Sequence, residues 1–299
     1  MKAAHQAPLA SARMPTHLWP PVPPIELPSA RTIRVAGRGE LFLRDSGGSG
    51  PAVMLLHGWM ATADLNWCGA YDDLARAGYR VLAIDHRGHG RGMRQVAPFR
   101  LADCAGDAAA ALRELGVAPA LVVGYSMGGA IAQLMARDFP FAVAGLVLSG
   151  TAQHWQDPQT QRAFRALGAL GLMLTVAPRW TWTSGFRRVG LPDTPDTAWA
   201  LSEVMRHSAR DIAEAGREIA RFDSRPWLKP LPVPSAVVLT TRDRAVAPPK
   251  QRALAAALEA PVFEAAISHM QITTSGDSYN PVLLQALAAV GGRDRVAAA

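Results

Sequence analysis

The stretch VVGYSMGGA, residues 122–130, decides how this sequence is interpreted. A run of small apolar residues, typical of a buried strand, leads into a helical pattern, and Ser126 lies at the junction. Gly124 and Gly128 flank it in the spacing G-x-S-x-G, and such small neighbours leave room for a tight strand-to-helix turn. That turn would hold the hydroxyl clear of the backbone. The pattern predicts a nucleophilic serine, and an ordinary glycine-rich turn is the alternative.

The segments around this stretch alternate between short apolar runs and helical patterns. Predicted strands cover a hairpin at 31–37 and 40–47, then residues 52–58, 79–85, 120–125, 143–150, 234–243 and 261–269. Predicted helices cover residues 66–77, 101–116, 126–137, 248–258 and 281–290. Strands that alternate with helices at this spacing predict an α/β fold, a doubly wound, mostly parallel sheet with helices on both faces.

The alternation stops over residues 151–229, which are helical and irregular in pattern. The sequence therefore predicts a core formed by residues 31–150 and 230–292, interrupted by a helical cap at 151–229. The proline-rich residues 1–30 predict an extended N-terminal arm, with a loose linker as the alternative, and residues 293–299 a C-terminal tail. The predicted cap contains five of the eight tryptophans, namely Trp155, Trp180, Trp182, Trp199 and Trp227.

Two interpretations of the predicted cap stay open. Its tryptophans either pack the cap against the core or form an apolar roof over a substrate pocket. The stretch 167–177 carries no charge, and Thr175 is its one polar side chain. We expect a buried cap helix there, and the alternative is a mobile lid that touches lipid.

The composition excludes several classes of protein. The 299 residues are 49% hydrophobic and 18% charged, which is typical of a globular chain rather than a disordered one. The net charge of +7 comes mainly from scattered arginines, whereas nucleic-acid-binding proteins gather basic residues on one face. No stretch approaches the ~20 apolar residues of a membrane span, and weak attraction to anionic lipid stays open.

Cysteine use and the first residues bear on the compartment. Cys68 and Cys104 have neither metal-ligand spacing nor the spacing of a disulfide framework. The stretch MKAAHQAPLASARMP has no apolar core of signal-peptide length. Both observations predict a cytoplasmic protein, and nothing in the sequence predicts an oligomeric state.

A serine hydroxyl needs a base to become a nucleophile, and that base needs an orienting carboxylate. In a doubly wound sheet these groups come from the carboxyl ends of later strands. Asp243 and His269 occupy such positions, at the ends of the strands predicted over 234–243 and 261–269. The sequence therefore predicts catalytic residues Ser126, Asp243 and His269, in that chain order.

Five motifs lie at or near the ends of the predicted strands, among them GYSMGG (124–129) around Ser126 and SHM (268–270) around His269. In these motifs the chain resembles the α/β-hydrolase-fold family over about residues 31–292. The resemblance implies that Ser126 is the nucleophile, that His269 is the general base and then the general acid, and that Asp243 holds the imidazole. The motifs that carry it are HGWM (57–60), DHRGHG (85–90), GYSMGG (124–129), TRDRAVAP (241–248) and SHM (268–270).

The resemblance also implies an oxyanion hole formed by two backbone N–H groups. These belong to Met127, which follows the nucleophile, and to Trp59, which follows the pair His57-Gly58. In this family the histidine of that pair braces the oxyanion loop, so we expect His57 to be structural.

Other polar residues receive structural interpretations. Asp85 and Arg87 are expected to hold their glycine-containing loop by hydrogen bonds, and His86 and His89 beside them to be solvated. In the predicted cap, His154 and His207 are expected at the surface rather than in the pocket. Asp223 is a rival acid only if Asp243 points away from the histidine.

The sequence thus predicts a serine hydrolase that cleaves a carboxylic ester of a small-to-medium lipophilic substrate through an acyl-enzyme, without metal or organic cofactor. Hydrolysis of a carbon–carbon bond, an amide or a lactone, perhydrolase activity, and a non-catalytic binding protein of the same fold stay open. Epoxide hydrolases and haloalkane dehalogenases of this fold use an aspartate nucleophile, and the epoxide enzymes use cap tyrosines. Here the nucleophile position is Ser126, and residues 151–229 contain no tyrosine.

Overall fold

A computed structural model of the chain describes residues 21–292, and in that range eight strands form one sheet. Their order across the sheet is β1-β2-β4-β3-β5-β6-β7-β8, with β1 and β2 antiparallel and the remaining strands parallel. The strands are β1 (Ser29–Val35), β2 (Gly39–Asp45), β3 (Ala52–Leu56), β4 (Arg80–Ile84), β5 (Ala120–Tyr125), β6 (Val143–Ser149), β7 (Ser235–Thr240) and β8 (Val262–Ala265).

Ten α-helices accompany this sheet within residues 21–292. They are α1 (Ala63–Arg76), α2 (Leu101–Glu114), α3 (Met127–Asp138), α4 (Pro158–Phe164), α5 (Leu167–Val176), α6 (Pro178–Arg188), α7 (Pro195–Val204), α8 (Ala209–Arg221), α9 (Pro248–Leu258) and α10 (Gly276–Gly291). Single-turn helices lie at Pro140–Ala142 and His269–Ile272.

The strands bury both of their faces, which is why they are apolar runs rather than alternating patterns. In β3, Met54 and Leu56 join the core cluster that contains α2 and α3, whereas Val53 and Leu55 join the cluster that contains α1 and α10. The sequence-based prediction of a doubly wound, mostly parallel α/β fold is therefore confirmed.

The largest difference from the predicted elements is the start of α10. A proline normally fits the first position of a helix, so a start at Pro281 was expected. The helix begins instead at Gly276 and contains Pro281. Its first turn is held by the fully buried Tyr279 and by Asn280, whose Nδ2 atom donates to the Gly69 carbonyl at 2.6 Å. These tertiary contacts outweigh the local preference.

The helices α4–α8, which we call the inserted helices, lie between β6 and β7 and inside the segment predicted as a cap. Both ends of the insertion meet at one place. His154 and Asp223 form an antiparallel backbone bridge, and the Ser224 N–H donates to the Gln153 carbonyl at 2.8 Å.

The prediction of a buried helix at 167–177 is wrong. Helix α5 buries Leu167 and Leu174, whereas Leu172 is 64% exposed and Val176 is 70% exposed. The composition is apolar all round, but only one side of the helix faces other protein atoms.

Only part of the predicted N-terminal arm is described. Residues 1–20 and the predicted tail at 293–299 lie outside the described residues. Ile25 and Leu27 pack against the core, and the Pro28 carbonyl accepts a hydrogen bond from Arg44. Among the helices of residues 21–292, none combines the length and the apolarity that crossing a bilayer requires.

Candidate active site

Ser126 lies on a strained turn between β5 and α3. Its backbone angles are φ 54° and ψ −115°, a region that residues with side chains rarely adopt. Both flanking glycines are required by close approach. A Cβ atom on Gly124 would lie 2.4 Å from the Gly128 carbonyl oxygen, and one on Gly128 would lie 2.1 Å from that of Leu56. The turn therefore forms only with glycine at both positions.

The structure brings together the three side chains predicted to be catalytic. The Ser126 Oγ atom lies 3.0 Å from the His269 Nε2 atom. The His269 Nδ1 atom lies 2.7 Å from the Asp243 Oδ2 atom. The Asp243 side chain is fully buried, whereas the imidazole keeps 17% of its surface exposed. A hydroxyl, an imidazole and a carboxylate thus form one continuous chain of hydrogen bonds.

Asp243 is held in the turn that follows β7. Its Oδ1 atom accepts hydrogen bonds from the N–H groups of Ala245 and Val246, both at 2.8 Å. Its Oδ2 atom accepts one from the Thr240 hydroxyl, also at 2.8 Å, in addition to the histidine. Four donors fix this carboxylate, so its orientation toward the imidazole does not depend on the histidine alone.

His269 lies farther from its strand than the sequence indicated, because β8 ends at Ala265. The histidine opens the single-turn helix His269–Ile272, which is capped by Ser268. The buried Tyr125 hydroxyl donates to the His269 carbonyl at 2.6 Å. Sequence reasoning missed this tyrosine, and its only signal is its place beside Ser126.

Two backbone N–H groups are candidates for an oxyanion hole. Met127 opens α3, so its N–H has no partner inside the helix. The loop that carries Trp59 lies beside the serine, since a Cβ on Gly58 would lie 3.4 Å from the Ser126 Cβ atom. Within residues 21–292 the Trp59 N–H makes no backbone hydrogen bond. The positive end of α3 faces the same space.

His57 fixes this loop from below. Its Nδ1 atom donates to the Gly58 carbonyl at 2.7 Å, and its Nε2 atom accepts from the His86 N–H at 3.0 Å. Complete burial lowers the pKa of His57 to about 3, so the ring stays neutral with one tautomer. The Gly58 N–H donates to the Asn66 Oδ1 atom at 2.9 Å. The loop is therefore held from both sides.

Asp85 also acts within the loops of this edge. Its Oδ1 atom accepts from the Ala63 N–H at 2.7 Å, and its Oδ2 atom accepts from the backbone and side chain of Arg91. Burial raises the pKa of Asp85, against the opposing effect of Arg91.

The expectation that His86 and His89 are solvated is wrong. Both are buried, because the inserted helices cover this loop.

Trp59 joins the loop to the inserted helices. Its indole Nε1 atom donates to the Ile212 carbonyl in α8 at 2.8 Å. Its ring lies 5.8 Å from that of Phe164 at the end of α4. This side chain therefore spans the core and the inserted helices, which the sequence did not indicate.

The remaining candidates lie elsewhere. His207 is half-buried rather than at the surface, with its Nδ1 atom accepting from the Gly90 N–H at 2.9 Å. His154 lies at the base of the insertion. Asp223 pairs with Arg225 at 2.6 Å. No group of three or more His, Cys, Asp or Glu side chains that could hold a metal ion occurs in the described part of the chain.

This architecture and site geometry agree with the comparison with protein families. Residues 51–271 match the model for the alpha/beta hydrolase fold, and the chain belongs to that family. It is 31% identical over 170 residues to 3-oxoadipate enol-lactonase 2 of Acinetobacter baylyi, across 55% of this chain and 62% of that protein. It is 39% identical over 112 residues to a non-heme haloperoxidase of Rhodococcus erythropolis, across 37% and 40%. The chain thus spans less than two thirds of the length of these relatives.

Solved structures are similar over most of the chain. The enol-lactonase from Burkholderia xenovorans has a TM-score of 0.69 and 25% identity, with 86% of this chain and 99% of that one covered. An esterase from Exiguobacterium antarcticum has a TM-score of 0.74 and 18% identity, with 86% and 98% covered. At that identity the second likeness shows the fold alone.

Proposed function

We propose that this member of the hydrolase family cleaves carboxylic esters of small-to-medium lipophilic substrates through an acyl-enzyme. The observation that carries the proposal is the hydrogen-bonded chain from Ser126 through His269 to Asp243, with 3.0 Å and 2.7 Å between the bonded atoms. The strained turn at Ser126 supports it, because such strain is typical of functional sites.

In the first step the Ser126 Oγ atom attacks the ester carbonyl carbon, and its proton passes to the His269 Nε2 atom. The imidazolium that forms is stabilised by the Asp243 carboxylate through Nδ1–H. The carbonyl oxygen becomes an oxyanion as the carbon turns tetrahedral. We assign its stabilisation to the N–H groups of Trp59 and Met127, and donors of this kind contribute about 3 kcal/mol each.

Collapse of the tetrahedral intermediate breaks the carbon–oxygen bond to the alcohol, which leaves with the proton from His269 Nε2. The acyl group is then bound to the Ser126 oxygen. Water enters, gives its proton to the same imidazole and attacks the acyl carbon. Ser126 takes the proton back as the acid leaves, so the enzyme is restored and neither a metal nor an oxidant is consumed.

The surroundings of the proposed oxyanion loop support a lipophilic substrate. The Trp59 ring packs against Phe164. The side chains of Trp59 and Leu167 also lie close to Gly216 in α8, where an added Cβ would lie 2.8 Å from either of them. Apolar side chains of α4, α5 and the loop thus meet beside the proposed oxyanion loop. Such a lining favours acyl or alcohol groups without charge.

A lactone is the second candidate substrate, because it is a cyclic ester and reacts by the same steps. The similarity to two enol-lactonases favours it. In a lactone the alcohol released by ring opening stays attached to the acyl group, so comparing lactones with open-chain esters distinguishes the two substrate classes. Faster hydrolysis of simple lactones than of open-chain esters would assign the lactone chemistry.

The test is labelling with a fluorophosphonate, which reacts with activated serines. We expect labelling of the unaltered chain and of Ser202→Ala, a matched change of a serine on α7, and none of Ser126→Ala. A p-nitrophenyl ester series from acetyl to palmitoyl should then show the highest rates on short-to-medium chains. Absence of labelling in folded protein would favour a binding protein. Labelling without ester hydrolysis would favour the carbon–carbon or amide reaction.

A further inference from the structure

Helix α5 and the start of α6 present large apolar side chains to solvent. Leu172 is 64% exposed, Met173 38%, Val176 70% and Trp180 63%, and we call these four side chains the apolar patch. Leu172 and Val176 are one helical turn apart, and Trp180 follows in the first turn of α6. The four side chains therefore lie within nine residues on either side of the junction of two helices.

The interior of the inserted helices does not need these side chains. Leu174 on α5 and Trp182 on α6 already fill the cluster formed with α7 and α8. Thr175 keeps its hydroxyl bonded to the Gly171 carbonyl, so even the one polar side chain of α5 offers no free donor there. The patch lies outside this cluster.

The segment that carries the patch, between Asp157 and Asp193, has charges of one sign only. Residues 158–192 contain five arginines and no aspartate, glutamate, lysine or histidine. All five are exposed, and within the described part of the chain none forms an ion pair. They are Arg162, Arg165, Arg179, Arg187 and Arg188. Arg179 adjoins Trp180 in sequence, and Arg187 lies two turns along the same helix.

This charge decides what can cover the patch. A second copy of the chain would place the same arginines against each other in a two-fold contact, which like charges oppose. The N-terminal residues 1–20 are no better matched, since they carry Lys2 and Arg13 and no acidic residue. The partner must offer negative charge at its rim and an apolar interior.

We propose that α5 and α6 dock this protein on an anionic bilayer surface. The apolar patch enters the boundary between headgroups and acyl chains, where tryptophan is favoured, and the arginines meet anionic headgroups. Each basic residue near such a surface contributes about 1 kcal/mol, which is roughly a fivefold gain in affinity. The proposal rests on the surface alone and holds whatever reaction the site performs.

The experiment is flotation of the full chain with lipid vesicles. We expect association with vesicles that contain about one third phosphatidylglycerol in phosphatidylcholine. The affinity for these vesicles should fall as the salt concentration rises, because salt screens the charges. Pure phosphatidylcholine vesicles should bind far less. Arg179→Gln, Arg187→Gln and Arg188→Gln combined should weaken affinity by about a hundredfold. Leu172→Ser with Val176→Ser should lower the vesicle-bound fraction at every salt concentration.

Matched controls lie on other surfaces. Val96→Ser changes a side chain that is 91% exposed in the loop before α2, and Arg113→Gln removes an exposed arginine from the end of α2. Both variants should bind vesicles as the unaltered chain does. All variants should melt within a few degrees of it, because every substituted side chain is exposed.

Three results would overturn the proposal. The first is no flotation with anionic vesicles, which would leave an acidic protein as the occupant. The second is flotation that the α5 and α6 changes leave intact. The third is a dimer in solution that Leu172→Ser dissociates, since a second copy would then cover the patch. Esterase activity is not a readout, so failure of the proposed reaction would be seen separately.

Discussion

Ser126 pays for its position with backbone strain. A side chain at φ 54° and ψ −115° costs about 1–3 kcal/mol, and the neighbouring glycines remove the clashes that would otherwise forbid the turn. Strain of this kind can be measured, because replacing one residue relieves it without touching the core.

Ser126→Gly is expected to raise the free energy of unfolding by about 1 kcal/mol, since glycine adopts this conformation freely. Ser126→Ala removes the same hydroxyl but keeps the Cβ atom and most of the strain, so it serves as the control. Urea denaturation of the two variants measures the difference. Equal stability of the two would show that the turn is not strained.

Tyr125→Phe is expected to lower kcat about tenfold while KM stays within twofold, because the His269 carbonyl loses a hydrogen bond of 2.6 Å and the imidazole loses its fixed position. Tyr279→Phe is the matched control. It removes a buried hydroxyl that donates to Ser149 at 3.0 Å, so it should cost about 1 kcal/mol of stability and leave kcat unchanged. Equal losses of kcat in both variants would argue against positioning.

Arg91 is one of several links between the inserted helices and the core. Arg91 contacts Asp64 at 2.8 Å and Asp85 at 3.0 Å in the core, and Glu203 on α7 at 3.0 Å. The three carboxylates are almost completely buried. An arginine between acids from two parts of the fold therefore neutralises charge and ties α7 to the core at once.

Arg91→Met is expected to destabilise the protein by about 3–5 kcal/mol, because the buried Asp85 loses its guanidinium partner. Asp64 and Glu203 keep Arg44 and Arg206 as partners. Arg206→Met is the control. Arg206 also contacts Glu203, but half of its side chain is exposed, so its loss should cost under about 1 kcal/mol. Guanidinium denaturation followed by tryptophan fluorescence compares the two. A cost below 1 kcal/mol for Arg91→Met would contradict the assigned role.

At the scale of the whole molecule, four histidines sit in contact where the inserted helices meet the core. Ring centroids are 4.3 Å apart for His57 and His86, 5.4 Å for His57 and His89, and 5.4 Å for His89 and His207. Burial lowers the pKa of His57 and His89 to about 3 and that of the other two well below 6.5. All four are neutral in the folded state.

The protein is therefore expected to lose stability in mild acid. Below pH 6.5 the unfolded chain binds protons on these histidines and the folded chain does not, so stability present above 6.5 falls by about 1.4 kcal/mol per pH unit for each one. His57 and His89 together cost about 3 kcal/mol at pH 5.5, a large share of the ~5–15 kcal/mol of a whole domain, and His86 and His207 act in the same direction. Burial raises the pKa of Asp85 and Glu203, which offsets part of the loss.

Urea denaturation at pH 7.5, 6.5 and 5.5 checks this expectation. His207→Gln should reduce the loss between pH 6.5 and 5.5 by about 1 kcal/mol, because half of the unfolded histidine is already protonated at pH 6.5. His154→Gln, at the base of the insertion, should reduce the loss by a smaller amount, because burial lowers the pKa of His154 but the ring is only partly buried. Stability that is flat across this range would mean that the histidines are protonated in the fold.

The core could be predicted because its signals are local. The apolar run of β5, the glycines beside Ser126 and the polar residues after β7 and β8 each depend on a few neighbours in sequence. The exposure of Leu172 and the burial of His89 could not be predicted, because both depend on which surfaces the inserted helices cover. The Tyr125 hydroxyl bond belongs to the same group, since its partner lies 144 positions away.

The indole bond from Trp59 to Ile212 has a consequence for how the molecule works. The backbone of this tryptophan belongs to the loop beside the serine, while its ring is hydrogen-bonded to α8 of the inserted helices. If the inserted helices move outward to admit substrate, they pull on the loop through this bond. The loop then regains its shape only when the inserted helices return. Substrate entry and the reactive shape of the loop are then coupled. A conformation that is open to substrate should therefore lack the loop geometry that Ser126 needs to react.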